Sequence, residues 1–295
     1  MQALLQPQFN MLALAKRIEP LESALLAVQS HKGAVRARLQ RSFVVSGMRD
    51  IGSHTRGTAI RTYSDVDCMV VLAKDEITWG GRMIASNTVV GRVLAELRSR
   101  FPASEVRKDG LAATISFGST NQSMDVVPAV FTRFDRTRAR PVFLIPDGLN
   151  GWFETSPHAH DHYFAQAQAA SGNKVRKVSQ LIKWWKYARA KPLPLGSFYS
   201  DMVLASSKIC SIGKSHGQCL HDFFELLALT KCGAVKDPCE IVERILATNT
   251  EAQRVQLVSS VEHAWRHARA ALDAQARGRI SDANAQWDIV FNGRY

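Results

Sequence analysis

No apolar run in this chain approaches the ~20 residues that a helical membrane span needs. The first residues, Met1-Gln2-Ala3-Leu4-Leu5-Gln6-Pro7, lack the basic segment ahead of an apolar stretch that marks a signal peptide. A cytoplasmic protein with no membrane partner is therefore expected. Cysteine is sparse: five in 295 residues, an odd number, which argues against a disulfide framework. Cys210, His216, Cys219, His221, Cys232 and Cys239 cluster in sequence, but their spacings match no zinc template. Internal repeats and low-complexity tracts are absent. Acidic residues are outnumbered, 26 against 38 basic, and the net charge of +12 favours polyanionic partners such as nucleotides or nucleic acid. Hydrophobic content of 46% and charged content of 22% are ordinary for a globular protein. The length supports one or two domains.

What is present is concentrated between residues 52 and 67. Gly52-Ser53 opens a turn, and Ser64-Asp65-Val66-Asp67 leads into the apolar run Cys68-Met69-Val70-Val71-Leu72, which reads as a buried strand. Side chains alternate along a strand, so Asp65 and Asp67 point to one face. Carboxylates that close repel unless a cation lies between them. Hard divalent ions such as Mg²⁺ take oxygen ligands, commonly one or two carboxylates together with substrate phosphates. A Gly-Ser turn can offer backbone N–H groups and a hydroxyl to those phosphates. The combination points to phosphoryl or nucleotidyl transfer.

A third acid follows. Leu111–Phe117 reads as a strand, Gly118–Gln122 as a turn and Ser123–Val130 as the returning strand. Asp125 is the only charged residue between Asp109 and Arg133. A lone acid in an apolar strand is costly unless something compensates it, and a second metal shared with Asp65 and Asp67 would do so. Two-metal sites hold their ions about 4 Å apart and clamp attacking and leaving oxygens.

The string Gly52-Ser53-x-x-Arg56-Gly57-Thr58-x-Ile60-x-x-x-Ser64-Asp65-Val66-Asp67, with the later strand Asp125, resembles the polymerase-β-type nucleotidyltransferases. Within them it is similar to the branch holding cyclic GMP-AMP synthase, oligoadenylate synthase and the bacterial CD-NTases of anti-phage signalling. Ile145-Pro146-Asp147-Gly148, followed by Trp152, Thr155, Pro157 and His158, looks like that branch's connector after the third acid. Leu181-Ile182-Lys183-Trp184-Trp185 and Ser197-Phe198-Tyr199 look like its lysine-bearing helix and Ser-aromatic pair. The resemblance implies catalytic, metal-binding roles for Asp65, Asp67 and Asp125, with two Mg²⁺ or Mn²⁺ ions per site. It implies nucleotide-binding roles for Gly52, Ser53, Arg56, Lys183, Ser197 and Phe198. It also implies nucleoside triphosphate substrates, a cyclic di- or trinucleotide product, and a downstream effector reached through that product.

The expected architecture is α/β (α+β): a polymerase-β-like lobe with a mixed sheet and a long spine helix, then a helical lobe. The boundaries are 1–150 for the catalytic lobe and 151–295 for the helical lobe closing over the nucleotide. Leu21, Leu25, Val28, Val35, Leu39 and Phe43 recur at helical spacing, predicting a helix from Pro20 that leads straight into the Gly-Ser turn. Thr88–Phe101, Lys174–Ala190 and Ala252–Arg277 read as further helices, and Val142–Ile145 as a short strand. A monomer that needs no nucleic acid is expected. The alternatives are a linear-oligonucleotide or RNA-terminal transferase of the oligoadenylate synthase kind, and a binding module without activity, against which the three acids count. An aminoglycoside-modifying transferase is disfavoured by the positive charge.

Overall fold

The computed structural model describes residues 2–63, 65–117 and 122–295. Of the turn expected at Gly118–Gln122, residues 118–121 lie outside the described residues, as do Ser64 and the side chains of Leu25 and Val28. In chain order the first elements are α1 (Gln2–Arg17), α2 (Glu22–Ser42), β1 (Val45–Ile51), α3 (Ser53–Arg56) and β2 (Val66–Leu72). A small hairpin of β3 (Thr78–Trp79) and β4 (Arg82–Met83) precedes α4 (Ser86–Arg100). Five strands follow: β5 (Glu105–Asp109), β6 (Ala112–Phe117), β7 (Gln122–Asp135), β8 (Arg140–Pro146) and β9 (Trp152–Thr155). Beyond them run α5 (Pro157–Ala170), α6 (Val175–Tyr187), α7 (Ser197–Ser207) and α8 (His216–Leu229). The short pair β10 (Val235–Lys236) and β11 (Arg244–Ile245) leads to α9 (Glu251–Ala276) and α10 (Ile280–Val290).

The chain forms two compact units. The sheet unit comprises Pro20–Thr55 and Arg61–Asp161; the helical unit comprises Met1–Glu19, Arg56–Ile60 and His162–Tyr295. This division differs in three places from a single boundary after residue 150: the first helix, the segment Arg56–Ile60, and the boundary itself, which falls after Asp161. The first helix belongs to the helical unit because Met11, Leu14, Ala15 and Ile18 are buried on its inner face, and α1 packs against α6, α8 and α10. Gln8 accepts from the His216 backbone N–H at 3.0 Å, and the Tyr295 hydroxyl donates to the Pro7 carbonyl at 2.8 Å. The segment Arg56–Ile60 belongs there through a buried polar cluster described below.

In the sheet unit seven strands form one mixed sheet in the order β1-β2-β7-β6-β5, with β8 paired to β7 and β9 to β8. The β2/β7 pair is parallel, and the others are antiparallel. One face is covered by α2 and α4: Val35, Leu39 and Phe43, with Val89, Val90, Val93, Leu94 and Leu97, pack on Val66, Cys68, Val70, Met124 and Val126. By strand alternation, Asp67, Met69 and Val71 share the opposite face with Asp125, Val127 and Ala129. Met69, Val71, Val127 and Ala129 form a second apolar cluster there with Phe143 and Ile145.

The spine helix does not run straight into the Gly-Ser turn. Strand β1 lies between them and pairs with β2, Asp50 opposite Cys68 and Ile51 opposite Asp67. Its sequence, Val45-Ser46-Gly47-Met48-Arg49-Asp50-Ile51, has no apolar alternation to announce it, and β2 supplies the hydrogen-bond partner that makes it a strand. Among the described residues, no helix is long and apolar enough to cross a membrane.

Candidate active site

The sheet unit brings five of the expected site residues together. Asp67 and Asp125 occupy facing positions on the parallel strands β2 and β7. Neighbouring strands lie about 4.8 Å apart, so two carboxylates on one face are held side by side. The row continues to Thr114 on β6 and Arg107 on β5. Asp65, two residues before Asp67, is exposed.

Each acid is oriented by a neighbour. The Thr114 hydroxyl, almost fully buried, donates to Asp125 Oδ1 at 2.6 Å. The Ser123 hydroxyl donates to Asp65 Oδ1. Gly52 stands against Asp67: its φ is +79°, and a Cβ built there would lie 2.0 Å from Asp67 Oδ2. Glycine is required at position 52 for both reasons, the left-handed backbone and the close approach. The turn it makes opens α3, whose first residue is Ser53. Thr55 Oγ1 closes back on the Gly52 carbonyl at 3.0 Å.

The Asp125 carboxyl is held above the usual carboxylate range. Burial is the main cause and the Asp65 charge adds to it, while the Thr114 hydrogen bond works the other way. Three carboxylates on one face offer only hard oxygen donors, the set that Mg²⁺ and Mn²⁺ take. A fourth acid, Asp50, lies off this row; it alternates to the helix-covered face and pairs with Lys32 at 2.6 Å.

The helical unit gathers the other expected residues around an acid that sequence reasoning missed. Asp201 on α7 is fully buried. Its Oδ2 accepts from Arg56 Nε at 3.0 Å and from Thr58 Oγ1 at 3.1 Å, and its Oδ1 accepts from Ser179 at 2.5 Å. Burial opposes its ionisation, but the charges of Lys183 and Arg56 and the bonds from Ser179 and Arg56 hold its carboxyl below the usual range. The Arg56 guanidinium also lies 5.6 Å from the centre of the Phe198 ring. Lys183 is buried, donating to the Thr58 carbonyl at 3.0 Å and the Thr58 hydroxyl at 2.6 Å, with Asp201 at 3.5 Å. Its ammonium thus holds the Arg56–Ile60 segment in place.

One turn further along α6, Lys186 is the lysine beside Ser197, Nζ to Oγ 3.5 Å. Burial, and then the positive charge of Lys183, push Lys186 down to about 8. A signal for Lys186 was available: it sits three residues from Lys183, on the same broad helix face. Asp201 was visible as a single acid ahead of Met202-Val203-Leu204-Ala205. His158, in the expected connector, has its Nε2 hydrogen-bonded to the Arg49 guanidinium at 3.0 Å.

A set of three acids on a mixed sheet, with a glycine turn beside it, is an arrangement suited to a hard divalent cation. The profile described as "Second Messenger Oligonucleotide or Dinucleotide Synthetase domain" (SMODS) matches residues 5–167, and the chain belongs to this family. It is 24% identical to the cyclic AMP-AMP-AMP synthase of Escherichia coli (strain MS 115-1), over 72% of this chain and 70% of that protein. It is 20% identical to a probable cyclic nucleotide synthase of Bacillus cereus (strain VD146), over 83% and 80%. Among solved structures, E. coli MS115-1 CdnC with ATP superposes with a TM-score of 0.74, covering 97% of both chains at 18% identity. Vibrio cholerae DncV, a cyclic AMP-GMP synthase in complex with its linear intermediate, superposes at 0.65, covering 84% of this chain and 69% of that one at 14% identity. These structural likenesses show the fold: a polymerase-β-like α/β architecture.

Gly52→Ala tests the contact between turn and acid. The added Cβ must displace the Asp67 carboxylate, and a displacement of about 1 Å can cost on the order of 100-fold in rate. Nucleotidyl transfer should fall by about that factor, while the thermal midpoint drops only a few degrees. Gly47→Ala, where a Cβ meets nothing within 4 Å, should behave as wild type in both assays.

Proposed function

We propose that the protein joins ribonucleoside triphosphates into a cyclic di- or trinucleotide with release of pyrophosphate, and that the product signals to an effector in phage defence. The observation that carries this reading is the facing pair Asp67 and Asp125, with Asp65 two residues away on the same strand face and the Gly52 turn packed on Asp67. Family membership supports it, as do relatives named as cyclic nucleotide synthases.

The donor set fits Mg²⁺ or Mn²⁺. Asp65 and Asp67 would hold two such ions and Asp125 one of them. Bound there, the ions supply charge neutralisation for the triphosphate and a lowered pKa for the acceptor hydroxyl. The chain's own residues do the positioning. Gly52 and Ser53 present backbone N–H groups and a hydroxyl at the start of α3, suited to phosphate oxygens. The acceptor oxygen attacks the α-phosphorus in line, its proton is released, and the bond to pyrophosphate breaks. The last transfer, the second for a dinucleotide and the third for a trinucleotide, joins a hydroxyl of the linear intermediate to its own α-phosphorus, closing the ring and releasing another pyrophosphate. Catalysis in such a site is positioning and charge stabilisation.

Lys186 and Ser197 are the pair we assign to the triphosphate, in place of Lys183, whose ammonium is bonded to Thr58. Phe198 offers a stacking face for a base; aromatic–base stacking is worth about 1–3 kcal/mol. A pocket gripping one triphosphate needs no polymeric nucleic acid, so the basic surface is not required for synthesis.

Purified, nuclease-treated enzyme incubated with the four ribonucleoside triphosphates and Mn²⁺ or Mg²⁺ should yield a phosphatase-resistant product whose mass is that of a cyclic oligonucleotide. Asp65→Asn with Asp67→Asn should abolish it and leave the fold intact. A linear product would favour the oligoadenylate synthase-like reading, and a strict need for RNA or duplex DNA would favour a nucleic-acid sensor.

The charge on Lys186 gives a pH signature. Its ammonium loses its proton as pH rises through about 8, so its attraction for the triphosphate fades above that pH. The apparent KM should climb severalfold between pH 7 and 9.5, with kcat changing less because bound phosphate holds the proton on. In Lys186→Met the climb should vanish; the same climb in that variant would remove Lys186 from the pocket.

A further inference from the structure

Resting on the nucleotidyltransferase reading, we infer that Thr114 is a positioning residue that fixes which oxygen of Asp125 faces the reaction. Thr114 lies on β6 directly opposite Asp125 on β7, which in turn lies opposite Asp67 on β2. Its side chain is 1% exposed, and its hydroxyl donates to Asp125 Oδ1 at 2.6 Å. A threonine hydroxyl has one proton to donate. Giving it to Oδ1 engages one lone pair of that oxygen and pins the carboxylate's orientation, leaving Oδ2 the less engaged donor for a ligand. A carboxylate torsion is otherwise soft, with a broad two-fold profile. Without the bond, Asp125 would sample orientations in which either oxygen faces its row neighbour Asp67.

The same device recurs at Asp65, where the Ser123 hydroxyl donates to one carboxylate oxygen. Gly52 supplies the third constraint, by close approach to Asp67 Oδ2. All three carboxylates therefore have one oxygen set by an immediate neighbour. Of the three constraints Thr114 can be removed most cleanly, because valine has the same shape without the donor. Thr114 also sits inside an apolar strand, Ala112-Ala113-Thr114-Ile115, where a hydroxyl needs a hydrogen-bond partner to be tolerated. Asp125 is that partner, so the pairing serves both residues. Hydrogen bonds that orient metal-binding groups typically matter by about 10–100-fold in metal affinity or activity.

The test compares Thr114→Val, Thr114→Ser and Asp125→Asn with wild type. Measurements are steady-state kinetics, Mn²⁺ affinity by electron paramagnetic resonance, and thermal unfolding of the same samples. Thr114→Val should lower kcat about 30-fold with KM for triphosphate within about twofold, and should weaken Mn²⁺ binding about tenfold. Thr114→Ser keeps the donor and should recover kcat and Mn²⁺ affinity to within about threefold of wild type. A purely structural role would instead lower the thermal midpoint, with kcat loss following the folded fraction and Mn²⁺ affinity unchanged in the folded protein. Wild-type kcat and Mn²⁺ affinity in Thr114→Val, alongside an inactive Asp125→Asn, would overturn the inference and leave the site reading standing. Equal losses in the Val and Ser variants would also overturn it. A fully active Asp125→Asn would overturn the site reading and this inference with it.

Discussion

The parallel pairing of β2 with β7 is the constraint on which the candidate site depends. Its register sets Asp67 beside Asp125 on one face of the sheet, a strand spacing apart. A slip of one residue would turn Asp125 to the face that α2 and α4 cover, towards Val93 and Cys68, and would turn Met124 and Val126 away from it. The apolar clusters on both faces fix the register, so the hydrophobic core determines where the carboxylates go. The local cost of that placement is read at Asp125, whose carboxyl is raised above the usual range by burial first and by the Asp65 charge as well. Hydroxyls from Thr114 and Ser123, the Gly52 turn and, at the end of the row, Arg107 are set against these acids.

In the helical unit a different constraint operates. Arg56 and Lys183 are buried cations facing a single buried anion, Asp201. Removing one partner from such a group leaves a charge in the interior without compensation, typically at about 3–5 kcal/mol. The cluster therefore fixes the Arg56–Ile60 segment within this unit, and Gln180 adds a hydrogen bond to the Ala59 carbonyl at 3.1 Å. Burial, and after it the charge of Lys183, depress the pKa of Lys186 one turn along α6.

The elements with strong periodicity were legible in the sequence. Val66–Leu72 and the start of β7 are continuous apolar runs, and α2, α4 and α9 carry helical stripes, so their expected bounds differ from the observed ones by only a few residues. Strands β1, β5 and β9 were not legible. Glu105-Val106-Arg107-Lys108-Asp109 and Trp152-Phe153-Glu154-Thr155 are polar or short, and β6 and β8 give them their strand character by pairing. The family-type α/β architecture could be read from the Gly-Ser and Asp-x-Asp string because close approach and strand alternation leave a fixed spacing in sequence. The choice between Lys183 and Lys186 could not, since residues three apart on a helix share a face and only burial separates them. Asp201 and Thr114 escaped for a related reason: each is a buried polar residue whose meaning lies in a partner on another element.

We propose that Asp65, Asp67 and Asp125 form one site for divalent ions. Crystals grown with Mn²⁺ and a non-hydrolysable nucleoside triphosphate, measured at the manganese edge, test it directly. Two anomalous peaks about 4 Å apart are expected, both beside Asp65 and Asp67 and one also beside Asp125. Ordered triphosphate with no manganese at these carboxylates, or manganese bound only at other acids such as Asp50, would contradict it.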